Sequence, residues 1–307
     1  MRVLVTGGGG FLGRHLVRAC IADGAEVDVV EVRPVPPEPG CASWVTADMT
    51  AWLPTVDRRY DLVVHLAARI GGRTGIEHQP FVVASNTGLD AVLFDFAART
   101  RPQRVTYVSS SAVYPIDRQM TLDAHPLQEC EVELARGVVG SPDLTYGWSK
   151  LCGEHMAGLL QDRFGVDVTV YRPFTVFGPG QSDDYPLTAI AQRALERRDP
   201  LTVWGTGRQQ RDLVFIDDFV DVFRATWAEG DPGRPMNIAT GVATSFIDVA
   251  TCAARIAGYD ATIEPQLDRP EGVRCRVGSP ARIPLRVRPR TTLESGLREL
   301  MTWLEAR

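Results

Sequence analysis

The chain has 307 residues, of which 44% are hydrophobic and 23% charged, and its formal net charge is −5. That balance supplies a sizeable core and leaves no basic patch of the kind a nucleic-acid partner requires. The six cysteines, at 20, 41, 130, 152, 252 and 275, form no CxxC pair and no metal-ligand spacing, so reduced thiols and no metal are expected. The first strand is read from residue 2, so no signal peptide is expected, and no apolar run of ~18 residues is read as a membrane span. The expectation is a cytoplasmic protein with no membrane partner.

Arg2-Val-Leu-Val-Thr6 reads as a buried strand, Gly7 to Gly13 as a glycine-rich turn, and Arg14 to Ile21 as the helix it feeds. Gly7, Gly10 and Gly13 keep three-residue spacing, which permits a tight turn, close approach of backbone to a pyrophosphate, and close helix–strand packing. Phe11 and Leu12, in that turn, count among the expected cofactor contacts, and the start of the helix would present N–H groups to the phosphates. Ala25 to Glu31 is a second strand whose terminal acid falls about twenty residues after the glycines, where a carboxylate can accept the adenosine ribose hydroxyls. Glu31 therefore favours NAD. Arg33 could accommodate the 2′-phosphate of NADP or stand as a solvated loop residue, and the solvated reading is preferred. Residues 34–40 form a proline-rich loop, and a third strand from Ser43 leads to Asp48 and Met49, where the acid could face the adenine.

Tyr60 to Ala68 is an apolar strand of the kind buried on both faces of a parallel sheet, with His65 a core residue. Leu66, Ala67 and Ala68 leave room for the nicotinamide half of a dinucleotide at the strand end. Residues 71–75 read as a flexible loop, and 80–100 as one long helix whose Asn86 suits either a structural or a cofactor contact. The strand from Arg104 runs into Ser109-Ser-Ser111, and Tyr146 and Lys150 follow at i and i+4, ahead of the helical stretch 151–164. That spacing lets an ammonium lie below a phenol. With the oxidised nicotinamide it would lower the phenol from its ordinary value near ~10 and make Tyr146 a proton shuttle, with a serine hydroxyl on the substrate oxygen.

With Gly7-x-x-Gly10-x-x-Gly13, His65-Leu-Ala-Ala68, Ser109 to Tyr114 and Tyr146-x-x-x-Lys150 in this order, the chain resembles the extended short-chain dehydrogenase/reductase family, the nucleotide-sugar epimerases and dehydratases. The likeness continues through residues 171–181, 205–218 and 236–241 to the tail at 293–304. It implies an α/β fold: a Rossmann doubly wound parallel sheet over 1–172, rejoined by 211–242, and a smaller α/β substrate-binding lobe over 173–307. It further implies bound NAD, or NADP as the alternative, and a homodimer through a four-helix bundle. The partner implied is a nucleotide diphosphate sugar, a UDP-, GDP- or dTDP-hexose. The resemblance makes Ser110 the catalytic hydroxyl with Ser111 beside the substrate, Tyr146 the acid/base and Lys150 the cofactor-ribose ligand. Arg172 counts as a cofactor contact, Thr175 stands where an asparagine often meets the diphosphate, and Arg211 and Arg269 match diphosphate-binding arginines.

Departures from the pattern narrow the reaction. Dehydratases carry Asp-Glu after the catalytic hydroxyl, and decarboxylases carry a carboxylate at the second of these positions, where this chain has Ser111-Ala112. GDP-sugar 3,5-epimerases place a cysteine where Ala112 stands, although Ala68 to Gly72 and Arg269 to Gly272 look like that branch. The resemblance therefore implies C4 oxidation by bound NAD with hydride return to the opposite face. The alternatives are NAD(P)H-dependent reduction of a nucleotide 4-keto-6-deoxyhexose and, in another class, a non-catalytic NAD(P)-binding module. Asp217-Asp218 reads as helix-start compensation, and the arginine-rich stretch 282–290 as a solvated edge.

Overall fold

Val3 and Val5 lie on one face of the first strand and Leu4 on the other, and all three are fully buried, as in a strand covered on both faces. The computed structural model describes residues 1–70, 73–123, 125–228 and 234–307. In chain order the strands are β1 (Arg2–Thr6), β2 (Glu26–Glu31), β3 (Ser43–Thr46), β4 (Leu62–His65), β5 (Arg104–Val108), β6 (Asp167–Pro173) and β7 (Thr175–Phe177). They continue with β8 (Leu201–Trp204), β9 (Gln210–Arg211), β10 (Leu213–Phe215), β11 (Met236–Ile238), β12 (Thr244–Ser245), β13 (Ile263–Gln266) and β14 (Cys275–Arg276). The helices are α1 (Phe11–Ala22), α2 (Met49–Trp52), α3 (Arg73–His78), α4 (Pro80–Ala84), α5 (Asn86–Thr100) and α6 (Leu144–Phe164). Four more follow: α7 (Pro186–Leu195), α8 (Ile216–Thr226), α9 (Phe246–Ile256) and α10 (Leu293–Glu305).

Seven parallel strands make the central sheet in the order β11-β6-β5-β4-β1-β2-β3. Strand order reverses at β1, which pairs with both β2 and β4, and a crevice at the carboxyl ends of such strands is where doubly wound sheets bind ligands. The smaller sheets, β7–β10, β12–β9–β14 and β8–β13, belong to the second half of the chain together with α7, α9 and α10. Asp212 knots that half: its buried carboxylate accepts the N–H groups of Thr240, Gly241 and Gly278 and the Thr240 hydroxyl.

The structure corrects several expected elements. α1 begins at Phe11, three residues early, because Gly10 already serves as its N-cap. α6 begins at Leu144 and so takes in Tyr146 and Lys150. Gly71 and Gly72 lie outside the described residues, and the rest of the expected loop opens helix α3. Asp48 caps α2 by accepting the Thr50 N–H and hydroxyl. Asp217 and Asp218 lie in the first turn of α8, as expected, but Asp218 also holds the backbone N–H groups of Arg290 and Thr291, and Arg282, Arg288 and Arg290 turn onto carbonyls of the chain.

The segment Pro80–Thr100, with a mean hydropathy of 1.3, has by length and composition what a membrane span needs, contrary to the reading of the sequence. It is interrupted at Ser85, and it buries Asn86 and Asp90 on protein partners. Those features mark it as a core helix of this fold.

Candidate functional site

The glycine turn is fixed by sterics. Gly7 has φ +73°, and a Cβ there would stand 2.7 Å from the Ala67 nitrogen, so β1 and the segment after β4 touch backbone to backbone. A Cβ on Gly13 would lie 2.4 Å from the Gly7 carbonyl oxygen. No side chain caps the N-terminus of α1, so the N–H end at Phe11 and Leu12 faces the turn with its dipole uncompensated. These features fit a dinucleotide pyrophosphate. Gly13→Ala is expected to destabilise the fold by ~1–3 kcal/mol, because the clash is with backbone, and to weaken cofactor retention at least tenfold, checked by denaturant titration and by NAD content after dialysis.

Glu31 ends β2 buried at the turn, where its Oε2 accepts the Gly9 N–H at 3.0 Å. Burial works against its charge, but Arg33 and the Gly9 N–H outweigh it and hold the carboxyl below its ordinary range. Arg33 is exposed in the loop, as the preferred reading had it, and it also pairs with Glu31. Its backbone N–H, Nε and Nη2 all donate to Glu31, at 3.0, 3.2 and 3.4 Å, because a buried carboxylate draws in the nearest cation. A ribose at Glu31 would take over acceptor sites now held by this guanidinium.

Asn86 is fully buried, and its amide clamps one residue: Oδ1 accepts the Arg69 N–H at 2.7 Å and Nδ2 donates to the Arg69 carbonyl at 3.0 Å. Of the two roles open to it, the structural one is seen; it fixes the segment that carries Leu66, Ala67 and Ala68. Met49 is buried in the core. Arg172 spends its guanidinium on protein groups. It is fully buried in β6, its Nε and Nη2 grip both oxygens of Glu154 at 2.9 and 2.7 Å, and Nη1 reaches the Tyr114 hydroxyl and the Glu129 carbonyl. The buried Glu154 explains this position, since an arginine there is needed to match its charge.

Ser110, Tyr146 and Lys150 come together where β5 ends and α6 begins. Ser110 caps a short turn by accepting the Ala112 N–H at 3.1 Å and hydrogen-bonds the Tyr146 phenol. Lys150 is buried, donates to the Val108 carbonyl at 2.9 Å and lies 4.9 Å over the Tyr107 ring. Burial pushes the phenol of Tyr146 well above its ordinary value, with the Tyr185 phenol of the second half adding to the rise and the Ser110 bond opposing it. The expected lowering by Lys150 is therefore not seen in the free protein, where burial dominates and the lysine bonds the backbone instead. Ser111 and Ala112 are buried in the turn, and the Ala112 carbonyl accepts the Asp143 N–H.

On the substrate side, Thr175 opens β7, its N–H on the Asp212 carbonyl. Arg211 turns its guanidinium onto the carbonyls of Gln210 and Val273, while Arg269 is exposed over the Trp204 ring at 5.7 Å. Arg211 thus bonds the 269–273 segment, whereas the guanidinium of Arg269 meets Trp204 and Asp268. Reading the sequence missed Tyr185, Glu154 and Asp90; the last lay four residues after Asn86 on the same helical face, the available signal.

The profile of the NAD dependent epimerase/dehydratase family matches residues 3–239. The UDP-glucose 4-epimerase of Mycolicibacterium smegmatis is 29% identical over 286 residues, covering 88% of this chain and 86% of the relative. The structure of MoeE5 in complex with UDP-glucose and NAD superposes with a TM-score of 0.82 at 28% identity, covering 100% and 99% of the two chains. The UDP-glucose 4-epimerase of Thermotoga maritima, solved with UDP-glucose, shares the fold at a TM-score of 0.85 and 23% identity, covering 100% and 99%. With the glycine turn, the Ser110–Tyr146–Lys150 cluster and these matches in agreement, the chain belongs to the NAD dependent epimerase/dehydratase family, within the extended short-chain dehydrogenases/reductases.

Proposed function

We propose that the chain is an NAD-dependent nucleotide-sugar epimerase acting at C4 of the hexose. The observation that carries this reading is Tyr146, bonded to Ser110 and one helical turn from the buried Lys150, with Ala112 supplying no further acid or base. Bound NAD supplies an acceptor, and afterwards a donor, for the hydrogen at C4. Ser110 orients the C4 oxygen, and Tyr146 takes its proton as C4 becomes a carbonyl and returns it at the end. The Lys150 charge favours the phenolate that must be present before this proton is taken and again once it has been returned. A 4-keto sugar that turns its other face before reduction leaves as the epimer, with no net redox change.

Residues 1–172 with 211–242 would form the NAD-binding domain, a division supported by the pairing of β11 with β6, and 173–307 the substrate lobe. There Arg211 and Arg269 would hold the diphosphate of a UDP-, GDP- or dTDP-hexose, with fork geometry on its oxygens. Six free cysteines support a reducing, cytoplasmic setting. A homodimer is supported by the outer face of α6, where Trp148, Cys152 and Leu159 are exposed in one stripe, with Phe81 of α4 exposed as well. An isologous contact would cover such a face. Leu159→Arg is expected to convert a dimer to a monomer in analytical ultracentrifugation.

The function is tested on purified protein, by identifying released cofactor by mass and incubating fresh enzyme with UDP-, GDP- and dTDP-hexoses without added cofactor. Copurifying NAD and an epimer formed without change in nicotinamide absorbance support the reading. An empty protein that consumes NADPH only with 4-keto sugars replaces it with the reductase.

A further inference from the structure

The sheet register sets Thr6, His65 and Tyr107 side by side across β1, β4 and β5. Asp90 of α5 closes this row: its carboxylate accepts the Tyr107 hydroxyl at 2.8 Å and lies 2.9 Å from His65 Nε2, while His65 Nδ1 meets the Thr6 hydroxyl at 2.7 Å. All four side chains are fully buried. The row starts beside Gly7 of the cofactor turn and ends under Lys150, whose ammonium stands over the Tyr107 ring. It is also pressed against α6: a Cβ on Gly153 would meet the Tyr107 hydroxyl at 1.9 Å and Asp90 Oδ2 at 2.5 Å.

A buried ammonium survives only with a counter-charge. The charged and titratable groups around it are Tyr146 and Glu154 on α6, Asp90 on α5, His65 on β4 and Tyr107 on β5. Glu154 is spent on Arg172 and also accepts the Ser109 hydroxyl at 2.6 Å. Burial holds His65 below its ordinary value and hence neutral, even beside Asp90. Asp90 is the remaining anion, and its interaction with Lys150 opposes the loss of the lysine proton that burial favours.

We propose that Asp90 is a positioning residue that keeps Lys150 charged beside Tyr146 and, through His65 and Thr6, ties it to the cofactor turn. This rests on the reading that Lys150 works with Tyr146. Asp90→Asn keeps the shape and removes the charge. Its kcat/KM–pH profile is expected to move bodily to lower pH by about one unit, since Lys150 then loses its proton more readily and Tyr146 loses a nearby negative charge. A profile that falls in height with both limbs unmoved would make Asp90 a mere structural prop.

A double-mutant cycle with Lys150→Met, read by thermal unfolding, tests the pair without any turnover. Asp90→Asn is expected to lower Tm by ~3 °C or more in the wild-type background, and to raise it in the Lys150→Met background, where Asp90 would otherwise be a buried charge without its partner. Equal changes in both backgrounds would overturn the pairing. If the single variant does not fold, the double variant must still be more stable than Lys150→Met alone. Absence of turnover on every nucleotide sugar would remove the functional reading, while the cycle still decides the pairing.

Discussion

Tyr146→Phe is expected to lose about 10²–10⁴-fold in kcat, the range that a positioned acid/base supplies, while retaining the NAD content of the wild type. The substitution keeps the ring in its place on α6 and removes only the oxygen that bonds Ser110. Ser110 cannot substitute, since it has no cation one turn away to favour its ionised form. The check is paired: steady-state turnover with whichever nucleotide hexose of the UDP-, GDP- and dTDP- panel the wild type converts, and NAD per chain by mass after denaturation. Unchanged turnover would refute the role of Tyr146; lost NAD would show that the phenol serves the cofactor rather than the proton.

Arg172→Met is expected to cost ~3–5 kcal/mol of stability, the penalty for leaving a buried carboxylate alone. Five bonds to protein groups go with the guanidinium, including those that pin the carbonyls of Glu129 and Val132. Replacing Glu154 by Leu in the same chain should recover most of the loss, because the unpaired charge goes too. Denaturant midpoints of the two variants and the wild type measure this. A single variant within 1 kcal/mol of wild type, estimated against that buried-pair range, would mean that Glu154 finds another partner or its proton.

What could be read from the residues was local. The three-residue glycine spacing places a turn because only a residue without a Cβ fits at Gly7 and Gly13, and the i, i+4 spacing of Tyr146 and Lys150 needs only a helix. The doubly wound sheet was implied by the family resemblance, while the apolar β-branched runs showed individual strands buried on both faces, such as β1. The misread positions depend on partners far away in the chain. The resemblance made Arg172 a cofactor contact, yet its guanidinium is held by Glu154 on a different element. Arg33 is exposed, as read, and what the residues did not show is that Glu31 beside it is buried and takes its guanidinium. Asp212 and Asp90 are ordinary carboxylates in sequence, and only the fold brings three N–H groups to one and a histidine and a phenol to the other.

The central claim is that the same C4 hydrogen leaves and returns. The direct measurement uses nucleotide hexose carrying deuterium at C4, incubated with the enzyme in ordinary water without added cofactor, with product examined by NMR and mass. The epimer is expected to keep its deuterium at C4 and to take up none from solvent at C3 or C5. Loss of the label, or solvent hydrogen at C3 or C5, would contradict oxidation and return at C4 and show that a different bond is broken.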